Sequence, residues 1–220
     1  MQERAARTRA LIVRAAAELF ARDGYGGVTY RQIAAAAEVS VGSLTFHFAS
    51  KSDLADTIQA EGTQATRLAV ERVTDAGGPA LQQVLGITVE LTKLLEDTAC
   101  AWAAPRLMRE RQGSGLWSKL WLPTVHDLLA QAHAAGQLRD SARPEDLSTL
   151  VEHLVGGTET YLRDRVGTER EHQEYEDAAT RLGRVWSLVL EGVSPDPALA
   201  LARPPELPAP RPRREADAAL

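Results

Sequence analysis

The chain has 220 residues with 44% hydrophobic content and a net charge of −5, enough apolar material for a packed core and, taken whole, the wrong sign for a nucleic-acid binder. No apolar run is long enough to span a bilayer, and the charged, helical N-terminus lacks the apolar core and small-residue cleavage site of a signal peptide, so no membrane association and a cytoplasmic location are expected. The one cysteine, Cys100, excludes an internal disulfide; with no His or second Cys beside it, it reads as core filler.

Arg4 to Tyr25 reads as one amphipathic helix, with Leu11, Ile12, Ala15, Ala16, Leu19 and Phe20 recurring at three and four and Asp23-Gly24 ending it. Thr29 caps a second helix whose apolar face is Ile33, Ala34 and Ala37, and Glu38-Val39 carries the chain around a corner. Ser40 opens a third helix, Val41 to Phe48. Its small residues come first, where a helix aimed into a major groove needs its backbone close to the bases, and Leu44 and Phe48 face inward four residues apart. Ser50 and Asp53 bracket the next helix start like a capping box with aspartate in the glutamate role. This is the grammar of a helix-turn-helix with a supporting helix.

Charge is unevenly placed. Residues 1–51 hold seven Lys/Arg against four acids, a net of +3, whereas the rest holds eighteen against twenty-six, a net of −8. A basic head on an acidic body is the asymmetry of a one-domain DNA reader.

Beyond Lys51 the pattern is helical throughout, with helices expected at about Ser52–Val73, Ala80–Glu96, Thr98–Arg111, Leu116–Ala135, Glu145–Arg165 and Glu171–Leu190. Strand signals are absent, so the fold class is all-α. Three units are expected: a DNA-binding head at 1–51, a helical ligand-binding and dimerisation domain at 52–193, and a Pro-rich tail at 194–220, expected to be disordered for want of apolar content. Leu147, Leu150, Val151, Leu154 and Val155 on one late helix, and Leu182, Val185, Trp186, Val189 and Leu190 on the other, make stripes wider than one small core needs. Such a pair can meet its own copy as a four-helix bundle. Gly156-Gly157, each costing about 1 kcal/mol in a helix relative to alanine, makes sense where two backbones or a ligand come close. In a two-fold dimer the distance between heads decides whether two half-sites are read together.

The segment from Met1 to about Ala60 resembles the DNA-binding domain of the TetR family. The resemblance rests on Arg7, Arg9 and Ile12; Ala16 and Phe20; Gly24-Tyr25; and the run from Thr29 through Ile33-Ala34, Val39-Ser40, Gly42-Ser43-Leu44 and His47-Phe48 to Ser50-Lys51 and Leu54. Thr29, Tyr30 and Arg31 start a helix whose free N–H groups and hydroxyls suit a phosphate. Ser40, Val41, Gly42 and Ser43 head the recognition helix, with Val41 and Ser43 the candidates for base edges. Thr45, His47 and Lys51 are expected to meet the DNA backbone; the resemblance implies this for Thr45 and His47.

The body carries a narrower resemblance. The opening MQERAARTR, the FHFASK turn, Pro105 to Gln112, Trp121 and the run Leu128 to Leu138 are similar to the γ-butyrolactone autoregulator receptors of Streptomyces and relatives. In that group a tryptophan matched by Trp121 belongs to the pocket for a small lactone. Thr45 departs from the tyrosine usual in the receptors and is more like the pseudo-receptors, which answer to antibiotics or intermediates. Trp102, Trp117 and Trp121 are three of the four tryptophans, and Trp117 and Trp121 share a helix face. Leu85, Val89, Val125, Leu154 and Thr158 are further lining candidates by helix phase, and an indole N–H or Thr158 would supply a hydrogen bond in an otherwise apolar site.

No phosphate-binding glycine loop, HExxH, nucleophile elbow or supported carboxylate pair is present, so neither an enzyme nor a metal or cofactor is expected. The expected function is a homodimeric repressor that binds a palindromic double-stranded DNA operator, is released by a small hydrophobic effector, and controls secondary metabolism. The alternative is a regulator whose body serves only dimerisation or a protein partner.

Overall fold

The computed structural model describes residues 2–112, 117–165 and 177–196, together with residue 198. The elements are α1 (Gln2–Gly27), α2 (Tyr30–Ala36), α3 (Val41–His47), α4 (Lys51–Ala76), α5 (Ala80–Asp97), α6 (Ala99–Gln112), a 3-10 turn (Trp117–Leu120), α7 (Leu122–Ala134), α8 (Pro144–Arg165) and α9 (Ala178–Val193). The fold is all-α, as the periodicity requires. Among the described residues no helix is long and apolar enough to cross a membrane.

The head is built around α1. Ile12, Ala16, Leu19 and Phe20 are buried against Ile33 and Ala34 of α2 and Leu44 and Phe48 of the α3 region. Regular α1 stops where the sequence reading ends it, because Gly24 takes φ +82°, a conformation that suits a residue without Cβ. The head's core does not stop at residue 51. Leu54, Ala55 and Ile58 of α4 and Cys100, Ala103 and Leu107 of α6 belong to the same cluster.

Helix α6 lies against both α1 and α4, and small residues make that possible: Ala101, Ala103 and Ala104 are fully buried. A side chain at Gly62 of α4 would run into the Cys100 carbonyl and the Ala104 methyl. The body's core centres on α5, whose Val84, Ile87, Leu91 and Leu95 join Trp117, Trp121, Val125, Leu129, Val151, Leu182, Trp186 and Leu190. Trp186 also donates its indole N–H to Thr88 at 2.9 Å, pinning α9 to α5.

Three boundaries differ from the sequence reading. The helix expected at Leu116–Ala135 is a 3-10 turn followed by α7, with Pro123 in the first turn of α7, where its missing N–H leaves no intrahelical bond unmade; Trp121 is left at the junction with φ −138° and ψ −29°. The last helix, expected at Glu171–Leu190, is described from Ala178, where Asp177 accepts a hydrogen bond from the Thr180 N–H at 2.7 Å, and it runs on to Val193; residues 166–176 lie outside the described part. Ser194, expected to begin the tail, is buried, and its hydroxyl donates to the Gln137 carbonyl at 3.1 Å. The expectation of disorder for the Pro-rich stretch falls on residues outside those described.

Gly62→Ala should destabilise the chain by about 1–3 kcal/mol through overpacking, since the obstructing atoms include backbone, despite alanine's better helix propensity. Thermal unfolding checks this: an unchanged or raised melting temperature would mean that α4 and α6 separate freely.

Candidate nucleic-acid interface and effector site

The start of α2 is closed by a full capping box. The Gln32 N–H donates to the Thr29 hydroxyl oxygen at 3.3 Å, and the Gln32 side-chain oxygen accepts from the Thr29 N–H at 2.7 Å. Gln32 was readable as the third residue after the cap but was not singled out. Tyr30 is half-buried and donates its hydroxyl to the Phe48 carbonyl at 2.8 Å, so it ties the start of α2 to the end of α3; burial raises its phenol above the ordinary value. Arg31 is exposed.

The recognition helix is capped by Ser40, whose oxygen accepts from the Ser43 N–H at 3.0 Å. Ser40, Val41, Gly42 and Thr45 are exposed, Ser43 and His47 are half-buried, and Leu44 anchors the opposite face at full burial. Within the chain, a Cβ at Gly42 would meet only the Ser40 oxygen, at 3.8 Å. Internal packing therefore leaves room for a side chain there. The Thr45 hydroxyl donates to the Gly42 carbonyl at 3.0 Å, and its oxygen stays available as an acceptor. Phe46, which the sequence reading did not assign to the interface, is 82% exposed and meets His47 edge to face at 5.3 Å between centroids. Its signal was its phase, two residues from the inward Leu44 and Phe48.

Lys51, expected at the DNA backbone, is half-buried and donates to the carbonyls of Tyr25 and Val28, both at 2.9 Å, while its ammonium lies 4.3 Å from the Tyr25 ring centre. Two of its three donors thus staple the α1–α2 loop.

In the body, Trp121 is 1% exposed and its indole N–H has no partner among the described residues. Trp117 packs against it with centroids 5.7 Å apart, tilted by 63°, and sends its own N–H to Thr66 of α4 at 2.9 Å. Val125 is fully buried in the same core, Leu85 is buried, and Leu154 is half-buried against the core. Val89 is half-buried and outside that cluster. The Thr158 hydroxyl is spent on the Leu154 carbonyl at 3.1 Å. Trp102 touches both cores and lines an open groove of about 790 Å³ together with Arg9, Val13, Glu61 and Leu95, a lining that includes neither Trp117 nor Trp121. The Thr92 hydroxyl and the Gln59 amide oxygen are also buried and have no partner among the described residues, and nothing in their sequence context distinguishes them. Cys100 lies 3.5 Å from the Glu61 carboxylate, and burial, reinforced by that carboxylate, pushes its thiol up to about 12, leaving it an inert neutral group.

The last turns of α6 hold the charged connections. Arg106 donates to the Ala21 and Arg22 carbonyls at 3.0 and 2.7 Å and to Glu110 at 2.7 Å; Glu110 accepts the Tyr25 N–H at 2.6 Å. Arg111 reaches Asp56 and Ser52 of α4, both at 2.8 Å, and Arg109 binds Glu159 of α8, with one contact at 2.9 Å. Burial pushes the Glu110 carboxyl up, but the hydrogen bonds from Arg106 and Tyr25 and the charges of Arg106 and Arg109 outweigh it and hold the group below its ordinary value. The stability this contributes is complete above the ordinary carboxylate range and lost as the pH falls through the depressed value. The protection of the Tyr25 amide, relative to the intrinsic exchange rate at each pH, should accordingly fall on acidification below about pH 4.5, and Glu110→Gln should flatten that step. An acid response identical in both proteins would remove Glu110 as its cause.

Residues 12–58 match the family model of bacterial regulatory proteins, tetR family. No curated protein matches the chain. Among solved structures, a gamma-butyrolactone receptor (ArpA-like protein) is similar at 25% identity and a TM-score of 0.69, over 91% of this chain and 94% of that one. CprB from Streptomyces coelicolor, solved in complex with its biological operator sequence, is similar at 26% identity and a TM-score of 0.68, over 87% and 90%. The ketosteroid transcriptional regulator KstR2 of Mycobacterium tuberculosis, at 20% identity, a TM-score of 0.70 and 86% and 95% coverage, shares the fold.

Proposed function

From a chain that belongs to the tetR family of bacterial regulatory proteins and is a DNA-binding regulator, we propose a cytoplasmic homodimeric repressor, without enzymatic activity, that a small hydrophobic effector releases from a palindromic operator. The effector is a γ-butyrolactone, a butenolide or an antibiotic, and the genes controlled serve secondary metabolism. The observation that carries the effector reading is the Trp121 indole N–H, buried without a partner among the described residues beside the aromatic wall of Trp117. An unmet buried donor costs about 1–3 kcal/mol, and a guest carbonyl accepting from it recovers that while its apolar remainder is buried at about 25 cal/mol per Å². The similarity to gamma-butyrolactone receptors in overall structure supports the same reading.

Dimerisation is supported by the outer faces of α8 and α9. A Cβ at Gly156, Gly157 or Gly183 would meet nothing within 4 Å, Leu188 is 71% exposed, and Leu150, Leu154, Val185 and Val189 are only half-buried. Two copies of this pair close into a four-helix bundle and place two α3 helices on a two-fold axis. A guest that reverses a population of bound heads must favour the non-binding arrangement by about 5.5 kcal/mol.

The wild-type protein should enrich a palindromic duplex from a random pool, and Val41→Ala with Ser43→Ala should weaken binding to it by about 1–3 kcal/mol while leaving affinity for random DNA unchanged. Unaltered discrimination in the double variant would remove α3's first turn from base reading. Synthetic γ-butyrolactones bearing acyl chains should raise the melting temperature of the wild type and have a much smaller effect on Trp121→Phe, which keeps the ring surface and loses the N–H. An equal rise in both would place the guest elsewhere, and no rise with any lactone, butenolide or antibiotic would favour a body that serves dimerisation or a protein partner.

A further inference from the structure

Regular α1 breaks at Gly24, so the carbonyls of the turn before it stand at the negative pole of the helix. One guanidinium, 84 and 85 residues away in sequence, takes up two of them: Arg106 donates to both Ala21 and Arg22. The same side chain holds Glu110, four residues along α6, and the other Glu110 oxygen accepts the N–H of Tyr25, just past the helix end. Gly24 lies between them, and a Cβ on it would come within 2.7 Å of Arg106 Nη2 and within 2.7 and 2.9 Å of the two Glu110 oxygens. The α1 turn therefore sits flush on the Arg106–Glu110 pair, with an acceptor side and a donor side both engaged.

The contact lies at the edge of a shared apolar seam. The head's core of Phe20, Ile33, Leu44 and Phe48 takes in Cys100, Ala103 and Leu107 of α6, so apolar packing holds the head on α6 and the polar pair fixes the end of α1 against it. One α6 turn away from that contact, Arg109 is bound to Glu159 on α8, and Glu159 is held from its own helix by Arg163 at 2.8 Å. A charge-assisted connection thus runs from helix α8 through α6 to the end of the head's central helix.

We propose that Arg106 and Glu110 are positioning residues that set the angle of each head on its body, and so the separation of operator half-sites the dimer accepts. This rests on the dimeric, DNA-binding reading given above. Each base pair of half-site spacing moves the second site by about 3.4 Å along the duplex and turns it by about 36°. A dimer with latched heads rejects such changes, and one with unlatched heads tolerates them.

The test uses the full chain and the duplex that the wild type enriches from a random pool, with versions whose half-sites stand one or two base pairs nearer or further apart. The wild type should prefer its own spacing by about tenfold or more. In Arg106→Met that preference should fall below about threefold, with the melting transition still cooperative and the Tyr25 amide exchanging faster. Arg106→Lys, which keeps a donor for the two carbonyls, should restore much of the preference; a merely structural loss would not be rescued at the level of spacing. If Arg106→Met does not fold, Glu110→Ala carries the same comparison. A spacing preference equal to wild type in Arg106→Met, or in Glu110→Ala where that variant stands in, overturns the proposal. A wild type that is monomeric or indifferent to spacing refutes the dimeric reading instead, and the latch is then decided by exchange alone: equal protection of the Tyr25 amide in wild type and variant sinks it.

Discussion

The close approach of α6 to α1 and α4 is the constraint on which the rest of this molecule depends. It exists because the facing residues are small, Ala101, Ala103 and Ala104 on α6 and Gly62 on α4, so backbones meet where side chains would otherwise hold them apart. A tight apolar seam of this kind resists gradual deformation. The long helix α4, which begins in the head and ends in the body, packs on the same seam.

Around that seam polar and charged groups act at helix ends. Arg106, Glu110, Lys51, Ser50 and the Thr29–Gln32 pair each satisfy a backbone group that a helix terminus leaves open. Chemistry usually read as a DNA contact is in Lys51 spent on holding the α1–α2 loop, while Arg31 of α2 and Ser40, Val41, Gly42 and Thr45 around the start of α3 stay exposed.

The body shows the opposite economy. Trp186 and Trp117 both find hydroxyl partners for their indoles, in Thr88 and Thr66, whereas Trp121 does not. Three tryptophans of similar burial are thereby distinguished by a hydrogen bond that two make and, among the described residues, the third does not. The third stands at a break between helices, in what periodicity alone would read as a continuous α-helix. Trp121 thus lies outside regular helix, with its side chain still wholly inside the core.

What could be read without coordinates was local: the spacing of Ile12, Ala16 and Phe20, the caps at Thr29, Ser40 and Ser50, and the stop at Gly24 depend on neighbours within four residues, and the structure has all of them. The tryptophan cluster was visible as composition. Only the tertiary arrangement decided which indole lacks a partner, that Lys51 turns inward, and that Arg106 and Glu110, legible as an ordinary i,i+4 pair, close the end of a helix some 85 residues earlier. The physical reason is range: propensity and capping act through covalently near groups, while the partners of a buried polar atom are chosen by how whole helices pack, which no spacing along the chain records.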